Sequence, residues 1–272
     1  MIDLHTHTHF SDGEYAPALL VELAQKQGMR ILSITDHDTL DGIAQAQEAA
    51  KNKALHIVPG IELSTQFKGR EVHLLGHFIE PTHATLLAVC QHMQTARKQR
   101  MEGMLQKLEE LHISVTMEEV LALSPQGRFS RSHLAQALVR KGICKNIYSA
   151  FELYLKAGRP AWLPLTQAST MEAIEWVHQA KGTATLAHPS VSELREEDIE
   201  ELSGHGLDGI EAHHPEHSWT ERTRWKALAH RLQLVCVGGS DFHGKHANRA
   251  LGCMQTSEAE FLALKRRCPP LL

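Results

Sequence analysis

Histidines and carboxylates recur in this chain at one kind of place, beside a short apolar run. His5 and His7 follow Ile2-Asp3-Leu4, and Asp36, His37 and Asp38 follow Ile31-Leu32-Ser33-Ile34-Thr35. Glu62 ends Ile57-Val58-Pro59-Gly60-Ile61, His73 comes after Val72, and His188 closes Ala184-Thr185-Leu186-Ala187. Asp241 and His243 come after Val235-Cys236-Val237-Gly238-Gly239-Ser240. Residues i and i+2 of a strand point the same way, so His5 with His7 can grip one cation, as can Asp241 with His243 if the strand continues. Asp12, in the turn Ser11-Asp12-Gly13, is placed to reach the same group. All these donors are nitrogen or oxygen, which suits manganese, iron or zinc and argues against a thiolate site. His5, His7, Asp12, His37, Glu62, His73, His188, Asp241 and His243 suffice for two or three divalent ions when a carboxylate bridges and water or substrate completes each shell.

A lone histidine at a strand end is ordinarily a hydrogen-bonded structural residue, but nine candidate ligands at six strand ends are not coincidence. The remaining members of these clusters take plainer roles. Asp36 is expected to orient His37, Asp38 to cap the helix that follows, and His9, His56, His77 and His83 to be structural.

The elements that must position this set alternate. Strands are expected at 2–7, 30–37, 56–64, 72–79, 183–188, 207–212 and 234–240, with amphipathic helices at 16–28, 40–53, 171–182, 193–202 and 219–232. That rhythm predicts an α/β fold with a parallel sheet or barrel, whose strand ends share one rim where chemistry is placed. From about Thr82 to Leu165 only helical patterns occur, at 86–111, 117–123, 131–141 and 147–157. The expected organisation is a distorted (β/α)7 TIM-like barrel built from residues 1–81 and 166–272. A helical insertion, residues 82–165, caps the active site.

Composition narrows the partners. The 272 residues are 42% hydrophobic and 22% charged with a net charge of −4, so no global basic field draws the chain onto long duplex nucleic acid or anionic lipid. No apolar run is long enough for a membrane span, and the N-terminus lacks the pattern of a signal peptide. Five scattered cysteines, never in a Cys-x-x-Cys pair, fit reduced thiols and a cytoplasmic location. Oligomeric state leaves no mark in the sequence. The twenty histidines are the anomaly.

His5-Thr6-His7 with Ser11-Asp12-Gly13, Thr35-Asp36-His37-Asp38, Gly60-Ile61-Glu62, Val72-His73, Ala187-His188-Pro189 and Gly239-Ser240-Asp241-Phe242-His243 closely resemble the motifs of the polymerase and histidinol phosphatase (PHP) superfamily. The resemblance implies a distorted seven-stranded barrel carrying two or three metals. It assigns His5, His7, Glu62 and Asp241 to one ion, His73 and His188 with a bridging Glu62 to a second, and Asp12, His37 and His243 to a third. Phe129-Ser130-Arg131-Ser132-His133-Leu134-Ala135 and Tyr154-Leu155-Lys156-Ala157-Gly158-Arg159-Pro160-Ala161 resemble the insertion of one branch, that of the 3′,5′-nucleotide bisphosphate phosphatases and a 5′–3′ exoribonuclease acting on short RNA.

Such a site suits phosphate ester hydrolysis. Divalent cations outweigh Asp12, Glu62 and Asp241, keep the pocket positive, and pull a bridging water towards neutral pKa as the nucleophile. The expected catalytic residues are Asp36, His37, Glu62 and Arg131. Arg131 is the candidate bidentate phosphate clamp, with Ser132, His133, Arg159 and Lys245 as further substrate contacts. The expected partner is a small phosphorylated substrate, a nucleotide or a short RNA end. Rival readings are a histidinol-phosphatase-like enzyme, a metal-dependent amidohydrolase, which commonly has a bridging lysine where Glu62 stands, and a non-catalytic metal-binding module.

Overall fold

A computed structural model describes residues 1–124, 126–245 and 249–268. Seven strands form one sheet in chain order: β1 Ile2–Asp3, β2 Ile31–Ile34, β3 His56–Phe67, β4 Arg70–His77, β5 Thr183–Leu186, β6 Gly209–His213 and β7 Val235–Gly238. The sheet curls into a nearly closed barrel. Beyond β1 and β7 the segments that follow these strands meet through a parallel bridge between Thr6 and Phe242, with the His7 amide donating to the Phe242 carbonyl at 3.0 Å. The approach is close enough that a Cβ on Gly239 would lie 2.3 Å from the Cβ of His5, which only glycine allows.

One expectation about the sheet fails. β4 runs antiparallel to both β3 and β5, while the other pairs are parallel. The cause is a two-residue hairpin turn: Lys68 and Gly69 both take positive φ, 49° and 80°, and Phe67 pairs with Arg70. Such a turn matches the right-handed twist of the flanking strands. Because β4 runs backwards, His73 lies near its start and comes before the apolar Leu74-Leu75. That reversal puts His73 level with Ser64, two residues beyond Glu62.

Helices α1 (Pro17–Lys26) and α2 (Asp41–Ala50) cover the first half of the barrel. After a long excursion, α7 (Thr170–Gln179), α8 (Glu196–Gly204), α9 (Trp219–Arg231) and α10 (Glu258–Lys265) cover the rest. Ser169, Ser218 and Ser257 start α7, α9 and α10 with capping boxes to Glu172, Glu221 and Glu260. The barrel core joins Leu20 and Val21 of α1 to Leu32, Ile34, Ile61 and Leu74, and continues through Ile174, Ile210 and Trp225. Phe261 and Leu264 of α10, an element outside the sequence expectations, seal Ile2, Leu4 and Val237.

The excursion holds α3 (Ala84–Glu110), α4 (Met117–Leu121), α5 (Arg131–Arg140) and α6 (Ile147–Ala150), which passes into a π-helical turn at Phe151–Leu155. These helices bury their own cluster of Met101, Met104, Leu108, Leu134, Leu138 and Leu155. Arg97 of α3 bolts them to the barrel. Its Nε and Nη2 donate to Asp38 Oδ2 at 2.9 and 2.5 Å, Nη2 also donates to Ser64 Oγ at 2.7 Å, and Nη1 donates to the Phe129 carbonyl at 3.4 Å. Asp38 is therefore no helix cap. It takes a φ of 51°, holds the Ser64 amide and receives Arg97, while the residue before α2, Leu40, makes no side-chain cap.

Candidate metal centre

All nine candidate ligands come together at one rim, and Glu62 is at their centre. Its Oε2 lies 3.3 Å from His5 Nε2, 3.2 Å from His7 Nε2 and 3.0 Å from His37 Nδ1. Its Oε1 lies 2.9 Å from His73 Nδ1 and 3.0 Å from His188 Nε2. Asp241 Oδ1 lies 3.4 and 3.2 Å from the same nitrogens of His5 and His7, and Asp12 Oδ1 lies 3.2 Å from His243 Nε2. Three groups have ligand atoms within 4.8 Å of one another: His5, His7, Glu62 and Asp241; His7, Asp12, His37 and His243; and His37, Glu62 and His73. The first matches the set implied by resemblance. The others differ in that His7 joins the Asp12 group and His37 joins Glu62 and His73, with His188 reaching that group through Glu62 Oε1 alone. The result is one continuous centre sharing His7, His37 and Glu62.

Divalent cations fit the donor set. His5 Nε2, His7 Nε2, His37 Nδ1, Asp12 Oδ1 and Glu62 Oε2 are all buried yet make no hydrogen bond, an arrangement too costly for a folded protein unless something else binds those atoms. The opposite ring nitrogens are spoken for. His5 Nδ1–H donates to Glu211 Oε1 at 2.9 Å, His243 Nδ1–H to the Asp241 carbonyl at 2.9 Å, and His7 Nδ1–H to Ser11 Oγ at 3.4 Å. Each bond leaves the lone pair of the other nitrogen turned inwards.

Charge follows the same geometry. Burial opposes ionisation of Glu62, yet His37, His5 and His73 hold it well below the usual carboxylate range. Burial likewise opposes charging of His7, but the neighbouring Asp241 and Glu62 carboxylates lift it to about 9. His73 is only partly buried; desolvation opposes its charging too, but Glu62 and Glu71 raise it to about 10. Protons and a divalent cation would thus compete for the same atoms.

Several side chains hold the ligands without joining them. Asp36 was expected to orient His37. It turns away and accepts instead from the Thr8 amide (2.7 Å), Thr8 Oγ1 (2.6 Å) and Ser11 Oγ (2.6 Å). It therefore fixes the loop after β1 and, through Ser11, the ring of His7. The catalytic role expected for Asp36 is corrected to this one, because both its oxygens are committed to that loop. Glu211 of β6, to which the sequence reading gave no role, takes His5 Nδ1–H on one oxygen and the His188 amide on the other at 2.9 Å. His214 accepts the Glu216 amide at Nδ1, so its Nε2–H points to Asp241 Oδ2, 3.3 Å away, where Arg249 also binds. A carboxylate inside the apolar run Ile210-Glu211-Ala212 was the available signal for Glu211. His188 and Asp241 have φ of 23° and 48°, backbone that non-glycine residues rarely adopt and that clusters at functional sites.

Glu211→Ala should lower metal affinity or kcat/KM by about 10- to 100-fold, the usual cost of losing a carboxylate behind a ligating histidine. Glu211→Gln, which can still accept from His5 but turns its NH₂ at the His188 amide, should recover only part of it. Metal titration beside steady-state kinetics reads both, and equal losses in the two variants would count against the orienting role.

The candidate substrate contacts scatter. Arg131 opens α5 and places Nη2 3.1 and 3.2 Å from the two oxygens of Glu71, whose Oε1 is 3.8 Å from His73 Nε2. Ser132 is the next residue of α5. His133 is buried behind Ser130 and, with Lys245, Gln136 and Arg140, lines a groove that reaches Asp12. Arg159 does not reach the centre. It is half-exposed and pairs with Glu152 at 3.6 Å, because the chain after the π-helical turn carries it along the outside of the insertion. Arg97, Arg100 and Arg249 left no sequence signal.

A barrel with this rim is that of a metal-dependent hydrolase. The PHP domain family matches residues 3–159, and the chain belongs to that family. It is 34% identical over 247 residues to a 5′–3′ exoribonuclease of Escherichia coli, covering 89% of this chain and 84% of that one. It is 31% identical to a 3′,5′-nucleoside bisphosphate phosphatase of Chromobacterium violaceum, covering 89% and 87%. A phosphoribosyl 1,2-cyclic phosphate 1,2-diphosphodiesterase of Eggerthella lenta is 34% identical, covering 89% and 94%. Among solved structures, a Bifidobacterium adolescentis protein described as a metal-dependent phosphoesterase superposes with a TM-score of 0.93 at 31% identity, covering 99% and 97%. The chain is a metal-dependent phosphoesterase, and phosphoric ester hydrolysis is its chemistry. No helix among the described residues is long and apolar enough to cross a membrane.

Proposed function

We propose that this enzyme removes the 3′-phosphate of nucleoside 3′,5′-bisphosphates and releases 5′-mononucleotides from short 5′-phosphorylated RNA. The observation that carries the reading is Arg131. At the N-terminus of α5, where backbone amides favour an anion, its guanidinium already holds an oxyanion, the Glu71 carboxylate, beside His73. That is a second anion station next to the metal centre, and a substrate with a 3′-phosphate and a 5′-phosphate fills both. Two or three manganese, iron or zinc ions at the rim would supply Lewis acidity and an ionised water at neutral pH. The protein's part is to hold His5, His7 and His243 in ligating tautomers and to fix the far end of the substrate with Arg131. Asp36 and Glu211 keep the ligands rigid from behind. Lys245 and His133 line the groove where the rest of a short RNA would lie. The exoribonuclease and the bisphosphate phosphatase among the relatives support this substrate class. An acidic chain gripping one end of a short oligonucleotide needs no extended basic track. A cytoplasmic location, where its five unpaired cysteines stay reduced, belongs to the same proposal.

The test is a panel on metal-loaded protein: adenosine 3′,5′-bisphosphate, 3′-AMP, p-nitrophenyl phosphate, histidinol phosphate, phosphoribosyl 1,2-cyclic phosphate, and short RNA with and without a 5′-phosphate. The bisphosphate should exceed 3′-AMP in kcat/KM. Arg131→Ala should cost about 10- to 150-fold on 5′-phosphorylated substrates, the value of one charge-assisted contact, and far less on the others. No preference for the bisphosphate, or equal losses on both, would remove the nucleotide assignment.

A further inference from the structure

A groove enclosing about 600 Å³ opens off the Asp12 end of the metal centre, between the loop after β1 and one flank of α5. His133, Gln136 and Arg140 line it from α5, and their spacing of three and four residues sets them in one stripe along the helix. Arg131 lies two residues before His133, on the opposite flank, where it meets Glu71 beside His73. One helix therefore serves both ends of the centre. Lys245 lines the groove from the barrel side. Among the described residues, neither Arg140 nor the Lys245 ammonium pairs with a carboxylate, whereas Lys141, next to Arg140, is held by Glu119 at 2.6 Å. Two carboxylates share the groove: Asp12 turns to His243 at 3.2 Å, and Glu14 accepts the Lys245 amide at 2.8 Å. Leu123 and the ring of His9, both half-buried, complete the lining.

We propose that this groove seats the second and third nucleotides of a 5′-phosphorylated RNA, with Arg140 and Lys245 on their phosphodiesters and Leu123 and His9 against a base. The inference rests on the first nucleotide lying between Arg131 and the metal centre, and adds where the strand goes next. In the cleavage proposed above, water adds to the phosphorus, the bond to the 3′-oxygen of the first nucleotide breaks, and that oxygen takes a proton. The phosphate stays on the 5′-oxygen of the second nucleotide. The downstream strand is thus the part still held at the centre, and it emerges at the Asp12 end, away from Arg131. Each phosphodiester carries one negative charge, so two unpaired cations match two of them. An imidazole face and a leucine give a base something to lie against without reading its identity. From His133 to Arg140 the helix rises about 10 Å, and stacked nucleotides of one strand advance about 3.4 Å each. The groove therefore takes two or three nucleotides and ends. Nucleotides beyond the fourth meet no part of it, which is a physical reason for favouring short RNA.

The experiment measures kcat/KM of metal-loaded wild type, Arg140→Ala and Arg140→Glu on 3′-AMP, adenosine 3′,5′-bisphosphate and 5′-phosphorylated oligoadenylates of two, three, four and eight residues. Beyond the scissile bond, the dinucleotide brings no phosphodiester to the groove, the trinucleotide one and the tetranucleotide two. Wild type is expected to gain about 3- to 10-fold for each of those two steps and less than about 2-fold from four residues to eight. Arg140→Ala should flatten the rise while staying within about 2-fold of wild type on the dinucleotide and the bisphosphate, and Arg140→Glu should reverse it. On the tetranucleotide, the fall of log kcat/KM with log salt should be shallower by about 0.7 in Arg140→Ala, the signature of one lost phosphate contact. A wild-type profile flat from two residues to eight, or an unchanged rise in Arg140→Glu, would overturn the inference; the Arg131 reading survives that result if the bisphosphate still exceeds 3′-AMP. Equal losses on every substrate would make Arg140 a structural residue, and a rise that continues from four residues to eight would overturn the bounded groove. If wild type shows neither the bisphosphate preference nor cleavage of any RNA, both readings fail.

Discussion

Glu62→Gln should lower kcat/KM on every phosphoester substrate by at least about 1,000-fold, some 4 kcal/mol of transition-state stabilisation, and should leave the protein with fewer bound metal ions. No other side chain touches so much of the centre. Oε2 faces His5, His7 and His37 within 3.3 Å, and Oε1 faces His73 and His188 within 3.0 Å. A neutral amide keeps the shape but removes one of the three carboxylates that balance the cations, and its NH₂ group points a donor where a lone pair is needed. Elemental analysis beside kinetics reads the two effects. A variant with wild-type turnover and full metal content would show that Glu62 does not bridge. Asp12→Asn makes the contrast, since among the described residues Asp12 has two histidines within 4 Å, His243 at 3.2 Å and His37 at 3.8 Å, and its loss should be the smaller.

The ligands themselves were legible because strand ends impose a rule. An apolar run long enough to be a strand puts whatever follows it at the rim, so His5, His37, Glu62, His188 and Asp241 could be placed without coordinates. Even so, several lie past the ordered strand: β1 ends at Asp3 and β7 at Gly238, and Asp241 reaches inwards from a loop in left-handed backbone. The direction of β4 was carried by Lys68-Gly69, a turn signal two residues long between two apolar runs, and it changes which end of the strand His73 occupies. Partner choice was the least legible part. Asp36 next to His37 suggested the pair by adjacency, but successive residues of an extended chain point apart, and Asp36 belongs to Thr8 and Ser11. Arg97 and Arg100 sit among Lys98, Gln99 and Glu102 on a helix that reads as a solvated face. Only the packing of α3 against the rim distinguishes them. Arg159 failed for the opposite reason, since a motif placed it near the barrel while the fold leaves it outside, paired with Glu152.

Stripping the metal ions should abolish hydrolysis and lower the melting temperature, and the gap between loaded and stripped protein should widen as pH rises. The first part follows from the buried lone pairs of the centre, which only a cation or a proton satisfies. At a metal concentration about 1,000 times the dissociation constant, binding adds roughly 4 kcal/mol, which for a chain of this length is about 10 °C. The pH dependence has a definite sign. In stripped protein His7 and His73 titrate at about 9 and 10, above the ordinary histidine value of 6.5. Their protonated forms therefore stabilise the fold fully below pH 6.5, and that contribution is lost as pH rises through 9 to 10. In loaded protein the same nitrogens hold metal rather than protons, so the loss is absent, and with fewer protons to displace the ions bind more tightly. Asp3 does not disturb the comparison. Burial raises it to about 6 despite hydrogen bonds from Ser240, so its contribution falls as pH rises through 6 in both forms and cancels. Thermal melts at pH 6.5, 8 and 9.5 with and without chelator, together with proton release on adding manganese or zinc to weakly buffered stripped protein, measure both halves of the argument. A gap that stays constant across that range would mean that protons and metal do not share His7 and His73, and activity that survives in chelator would end the metal assignment altogether.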